Sequence, residues 1–284
     1  MNIKNRILQK IVKPILYRNQ KFANSSKGGT CFIFGNGASL KYMDLSSLNI
    51  YPTIAVNNLF FHSQYDCLDV KYVAMPEPFN FYPIIKNTYN GFYQKNVLGI
   101  AAKKEMKRRP EIQWFISMTN ILAGLPVSNT NYIHHFDQAN KVQPNVNLSG
   151  IFSLMNGGMY TGLGMAMAFG FERAILVGCD YAFMPQRHRH FYGNPTEPFE
   201  LADNHKISSK DFENPYQTLF EFASRNIELC VLSPFATKAH LPVLNYKNLT
   251  GATPYYRENH EIISIDNFKV LERAYSLGQL PNPV

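Results

Sequence analysis

The residues able to do chemistry gather at the ends of short apolar runs. Gly35-Asn36-Gly37 follows Cys31-Phe32-Ile33-Phe34, with Ser39 just beyond; Asn57-Asn58 closes the run from Tyr51; and Asp180 ends Gly178-Cys179-Asp180 after Ala174 to Val177. Two glycines so placed let the backbone approach a ligand with its N–H groups exposed, which is how phosphate is held at a strand-to-helix turn. The spacing is neither GxGxxG nor a GKS/T loop, so an ordinary strand-ending turn is the alternative.

A second set lies in the polar stretch Met184 to Asp211, which carries His188, His190 and His205 with Arg187 and Arg189. Histidine accepts a proton near neutral pH, and arginine recognises phosphate and carboxylate. There is no DxD, no Walker lysine and no glycosidase-like carboxylate pair. The His188/His190 pair has no cysteine or carboxylate cluster beside it, so no metal site is expected. Such a set suits a nucleotide-bound anionic donor attacked by a hydroxyl, with histidine as general base; for His188 and His190 a solvated basic loop is the alternative. Asp180 reads as structural or ribose-binding, and His134-His135 as strand-end surface residues.

These residues need strands that deliver them to one edge. Cys31 to Phe34, Tyr51 to Asn58 and Val70 to Met75 read as successive parallel strands, and ligands bind at the carboxyl edge of such sheets. Asn36 and the Asn57-Asn58 pair would converge there. Trp114-Phe115-Ile116 and Asn131-Tyr132-Ile133 read as further strands. Thr161 to Phe169 reads as a buried helix whose small residues allow close packing on the sheet, with Gly170 as C-cap. Ala174 to Val177 and Ile227 to Leu232 are further strands, and helices are expected at Pro215 to Ser224 and Ile265 to Leu277. The sum is an α/β protein: a single Rossmann-like domain with a mostly parallel sheet, helices on both faces and a flexible lid. Its parts are a basic amphipathic segment with linker at 1–28, a catalytic domain at 29–235 with the lid at 182–213, and a C-terminal extension at 236–284.

Composition bounds the partners. The chain has 284 residues, 45% of them hydrophobic, enough for one sizeable core, and a net charge of +8 that favours an anionic partner. Four scattered cysteines without a CxxC pair read as reduced, buried thiols of a cytosolic protein. No run is long enough to span a bilayer, and the N-terminus lacks the apolar core of a signal peptide. Met1 to Phe22 instead interleaves apolar residues at helical spacing with lysines and arginines. It could lie on an anionic membrane surface or pack on the protein's own body. The basic run Lys103 to Arg109 reads as a solvated helix face, with phosphate contact as the sharper alternative. Basic residues are not interleaved with aromatics into a nucleic-acid module, so none is expected as partner. A homo-oligomer is left open.

The blocks FIFGNGASLKYMD, AVNNLFF, GGMYTGLGMAMAFGFERAILVGCDY and ELCVLSP occur in an order that resembles the bacterial lipooligosaccharide sialyltransferases of glycosyltransferase family 42. The resemblance covers Cys31 to Pro234 without the middle. It implies an inverting, metal-independent transfer of a sialic-acid-like keto-sugar acid from its CMP ester to a cell-surface glycan. No cofactor is implied beyond that donor, and the place is the cytoplasmic side of the inner membrane, peripherally attached.

By position, the resemblance assigns donor contacts to Asn36, Asn57, Gly157, Gly158 and Asp180. It makes Tyr181 and Tyr192 candidates for the phosphate-binding lid tyrosines, with His188 near one of those columns, and His205 the histidine nearest the family's base; His190 is the second candidate. Three departures stand out: Ala38 replaces a proline, Gly157 a serine, and Pro76-Glu77 falls where the family has asparagine. The chain resembles more distantly the GNGPSL-bearing, pterin diphosphokinase-like proteins. That alternative implies ATP and Mg²⁺; a second is a non-catalytic nucleotide-fold protein in glycan assembly.

Overall fold

A computed structural model of the chain describes residues 12–86, 93–123, 127–135, 144–152, 157–180, 190–193, 219–235 and 241–278. The strands are β1 (Thr30–Phe34), β2 (Thr53–Val56), β3 (Val70–Met75), β4 (Ile84–Lys86), β5 (Tyr93–Lys95), β6 (Gln113–Ser117), β7 (Thr130–His135), β8 (Ile151–Phe152), β9 (Arg173–Val177), β10 (Glu228–Ser233) and β11 (Val243–Asn245). Nine of them form one sheet in the order β11-β10-β9-β1-β2-β3-β6-β7-β8, while β4 and β5 make a separate antiparallel hairpin. Every neighbouring pair in the large sheet runs parallel.

Parallel strands are covered on both faces, which is why β1, β2 and β9 are almost unbroken apolar runs. On one face the helix α2 (Gly158–Phe169) sets Leu163, Ala166 and Phe169 against Ile33, Ile54 and Val56. On the other, α1 (Val97–Arg108) and α3 (Ile265–Ser276) bring Ala102, Met106, Leu271 and Ala274 into a core with Phe32, Phe34 and Trp114. Burying side chains of this size contributes about 1.5–3 kcal/mol each. The helix α2 ends as expected: Gly170 takes φ 82 and its N–H reaches the carbonyls of Ala166 and Met167. The chain is a single α/β Rossmann-like domain with an open sheet.

The order of strands locates the ligand edge. From β1 the chain winds outward through β2, β3 and β6, then returns to place β9 on the other side of β1 and winds the opposite way. Crevices open at such a reversal, beyond the carboxyl ends of the two central strands. Register makes those ends flush, since Phe34 lies beside both Ala55 and Val177, and Val56 beside Ala74.

Of three segments, one differs from the sequence reading and two follow one of its alternatives. In the N-terminal segment, residues 12–17 are helical and lead into the 3-10 turn Arg18–Phe22. Val12 and Leu16 are buried against Met118 and Ile121, and the Asn19 amide donates to the carbonyls of Tyr132 and Leu148 at 2.8 and 2.9 Å. From Val12 onward the apolar face therefore meets the protein's own body; residues 1–11 lie outside the described residues.

The C-terminal stretch is integral rather than appended. Its strand β11 adds to the sheet edge, the buried Tyr246 hydroxyl bonds Asp44, and the buried Arg257 guanidinium donates to Met43 O at 3.1 Å and Gln64 Oε1 at 2.9 Å. Cys31, Cys179 and Cys230 are buried free thiols, as read, but Cys67 is exposed. The basic run ends in ion pairs instead of reaching for phosphate: Arg108 grips Asp66 with two nitrogens at 2.7 and 2.8 Å and also holds Glu105, while Arg109 reaches Asp66 and Glu111.

Candidate functional site

The glycine turn after β1 is tied down by its own protein. Gly35 N–H donates to Val177 O at 2.8 Å, Gly37 N–H to Gly178 O at 2.7 Å, and Ser39 to Asp180 through its N–H at 3.0 Å and its hydroxyl at 2.5 Å. Asp180 is buried where an anion would sit, at the start of the 3-10 turn Ala38–Tyr42. Burial pushes its carboxyl up, and the bonds from Ser39 and the Ala38 N–H pull it back. An added Cβ on Gly37 would stand 2.3 Å from the Asp180 Cγ, so only glycine lets the two strands' ends meet. Gly35, Gly37, Ser39 and Asp180 do converge as the sequence suggested. Their hydrogen bonds make them the scaffold of the crevice, and the carboxylate takes the place expected for phosphate.

What remains unsatisfied lies one row further along the edge. Asn36 donates its amide to Val56 O at 2.9 Å and leaves its Oδ1 buried without a partner. Asn57 follows Val56 in a left-handed conformation, φ 50, which asparagine tolerates. Its amide donates to Glu77 Oε1 at 2.5 Å, and Asn57 Oδ1 and Glu77 Oε2 are likewise buried and unpartnered. Three orphaned acceptors from the ends of β1, β2 and β3 therefore share one hydrogen-bonded row. Buried polar atoms cost about 1–3 kcal/mol each when unpaired, so a donor that reached this row would be held there.

Glu77 is the residue sequence reasoning passed over, noting it only as a departure from the resembling family's asparagine. Its carboxyl is pushed up to about 7 by burial, against the opposing pull of its own backbone N–H and of the Asn57 amide. The signal available was an acid two residues beyond an apolar strand in a chain otherwise poor in strand-end carboxylates.

The N-terminus of α2 stands beside this row. Gly157, at φ 140, is its N-cap without a side-chain cap, and Gly158 sits so close to β2 that a Cβ would fall 2.1 Å from Val56 Cγ1 and 3.1 Å from Asn57 Nδ2. The first turn of a helix carries partial positive charge and unpaired N–H groups, so it favours a negative ligand group.

Residues 190–193, in the middle of the expected lid, pack against the glycine turn. The backbone of His190 bridges to Gly37, and Phe191 N–H donates to Asn36 O at 2.8 Å. Phe191 and Tyr192 are buried, and the Asn58 amide donates to the Tyr192 hydroxyl at 3.3 Å. Tyr275 OH and the Asn259 amide hold the carbonyls of Tyr192 and Gly193 at 3.1 and 2.9 Å. This part of the lid is thus an anchored wall, with the His190 ring stacked on Tyr192 at 4.8 Å. His205, His188 and Tyr181 lie outside the described residues. His134 is half-buried rather than a surface residue, and burial lowers its pKa.

Among the described residues no group of three or more His, Cys, Asp or Glu side chains could hold a metal ion, and no helix is long and apolar enough to cross a membrane. No family model, curated protein or solved structure matches the chain.

Proposed function

We propose that this protein is an inverting, metal-independent glycosyltransferase that moves a sialic-acid-like keto-sugar acid from its CMP ester to a cell-surface glycan, working at the cytoplasmic side of the inner membrane. The observation that carries the nucleotide part is the row of orphaned acceptors, Asn36 Oδ1, Asn57 Oδ1 and Glu77 Oε2, which begins after β1, beside the winding reversal of a parallel sheet, and runs along the edge to β3. Acceptors ask for donors, and the ribose diol supplies a pair of them in every ribonucleotide. The phosphate then lies toward the N-terminus of α2, where Gly157 and Gly158 leave the backbone accessible at the helix start.

The chemistry follows from that placement. The acceptor hydroxyl loses its proton to a histidine, and its oxygen forms the new bond to the anomeric carbon. The bond from that carbon to the phosphate oxygen breaks on the opposite face, and CMP departs with the electron pair. Helix-terminal N–H groups stabilise the leaving phosphate. His205 is the base by resemblance; His190, whose backbone bridges to Gly37, is the second candidate.

The test has two stages. Thermal unfolding with CMP and with ATP should show stabilisation by CMP alone; stabilisation by ATP with Mg²⁺ instead would favour the diphosphokinase alternative. Incubation with a panel of CMP-activated keto-sugar acids should then release CMP. A protein that binds CMP but releases none from any donor would be a nucleotide-fold binding protein.

A further inference from the structure

Asn57 engages one oxygen of Glu77 and leaves the other. Its amide donates to Glu77 Oε1 at 2.5 Å, while Oε2 is buried with no partner. A carboxyl that accepts at one oxygen carries its proton on the other, so Oε2 accepts when Glu77 is ionised and donates when it is neutral. Asn36 Oδ1 and Asn57 Oδ1 are amide oxygens and accept in either case. The row therefore presents three acceptors in one state of Glu77, and two acceptors with a donor in the other.

The surroundings hold this group in place without neutralising it. The Asn120 amide donates to Glu77 O at 3.1 Å and to Ser117 O at 3.3 Å, which ties the residue to the end of β6. Pro76 and Pro78 on either side restrict its backbone. The described groups that face it are uncharged: Asn57 after β2, Gly158 beside the Asn57 amide at the start of α2, and Asn120 after β6. Among the described residues no cation offsets the carboxylate, and burial pushes it up to about 7, so both forms are populated at neutral pH.

We propose that Glu77 is the specificity-determining residue of the crevice: ionised, it selects a ligand that offers a pair of hydroxyl donors, as a ribose diol does, and neutral, it disfavours that ligand. Binding is then coupled to a proton. The diol donates to the carboxylate, and the proton that Oε2 carried in the free protein leaves to solvent. A hydrogen bond to a charged acceptor is also stronger than one to a neutral group, which deepens the preference.

This inference rests on the nucleotide reading of the crevice and adds what sets its affinity. The sign follows from the free protein: below about pH 7 the ligand must first displace the proton, so affinity falls as pH falls. In turnover the effect belongs to KM, whereas a general base acts on kcat.

The test is calorimetric titration of the full chain with CMP and with 2′,3′-dideoxy-CMP between pH 5 and pH 8, in buffers of different ionisation enthalpy. The two ligands carry the same phosphate, which itself titrates near pH 6, so their difference isolates the diol. CMP should weaken relative to the dideoxy ligand by about tenfold for each unit below pH 7, and should release a proton that the dideoxy ligand does not. Glu77→Gln fixes the neutral pattern, since its amide oxygen takes the Asn57 bond and its NH₂ donates where Oε2 stood. In that variant the two ligands should share one pH dependence, with its thermal melt reporting the fold. Glu272→Gln, which removes an exposed acid on α3, should behave as wild type. Binding of CMP with the same pH dependence and proton count as the dideoxy ligand would overturn this inference and leave the nucleotide reading standing. No binding of CMP at any pH would overturn both.

Discussion

Ser39 donates to both carboxylate oxygens of Asp180, from its N–H at 3.0 Å and from its hydroxyl at 2.5 Å, across 141 positions of sequence. The pair ties the end of β1 to the end of β9 at the point where the sheet reverses its winding. Ser39→Ala removes the hydroxyl donor and leaves Asp180 Oδ1 buried and short of a partner, which costs about 1–3 kcal/mol. The expected result is a lower Tm with CMP affinity nearly unchanged. An unaltered Tm would show that the carboxylate is held by other groups.

Glu77 gives the fold a pH dependence. Its folded-state carboxyl, at about 7, lies above the ordinary value of 4.5, so the protonated form favours folding. Stability from this group is full below about pH 4.5 and is lost as pH rises through about 7, by an amount on the order of 3 kcal/mol at most. Glu77→Gln cannot ionise and should lose less stability between pH 5 and pH 8. Denaturant unfolding of both proteins at the two pH values measures the difference. Equal losses would mean that Glu77 does not ionise in that window.

The acceptor row predicts which part of the nucleotide is read. If the diol donates to Asn57 Oδ1 and Glu77 Oε2, then 2′-deoxy-CMP leaves one buried acceptor unpaired and should bind about 5- to 150-fold more weakly than CMP, the equivalent of about 1–3 kcal/mol. Calorimetric titration of the two ligands decides it. Equal affinities would take the ribose out of the row.

What could be read from the sequence was whatever is written in contiguous residues. The strands Cys31 to Phe34, Val70 to Met75 and Ala174 to Val177 were legible because parallel strands buried on both faces are continuous apolar runs. The helix ending at Gly170 was legible because its C-cap is local. The strand β11 was not, being a three-residue edge strand only half covered. The engagement of Asp180 by Ser39 is a long-range bond, so a structural Asp180 was among the readings while its partner was not legible. The apolar face of the N-terminal segment was visible as periodicity, but periodicity does not say what covers it; Met118 and Ile121 do. Glu77 was hidden because one acid after a strand is ordinary until its carboxylate is buried against Asn57.

Gly158 is the place where close packing and binding coincide. In most helices Gly→Ala adds stability, but here the new methyl would fall 2.1 Å from Val56 Cγ1 and push the start of α2 off β2. Gly158→Ala should destabilise by about 1–3 kcal/mol and weaken CMP more than Ser39→Ala does, since the helix N-terminus and Asn57 would separate. Unfolding and CMP titration on both variants check the order of effects.

The last prediction separates the two histidines. A general base contributes about 10²- to 10⁴-fold, so His205→Ala should lose transfer by that factor while CMP still binds. The rising limb of the wild-type rate near the ordinary histidine pKa of about 6.5 should vanish in the same variant. His190 bridges Gly37 through its backbone and stacks its ring on Tyr192, so His190→Ala should disturb the wall of the crevice and weaken CMP with a smaller effect on turnover at saturation. The comparison is a kcat against KM split for the two variants across pH. Normal turnover in His205→Ala, with the pH limb lost in His190→Ala, would move the base onto the wall beside the glycine turn, where the acceptor would have to enter from the side of Tyr192.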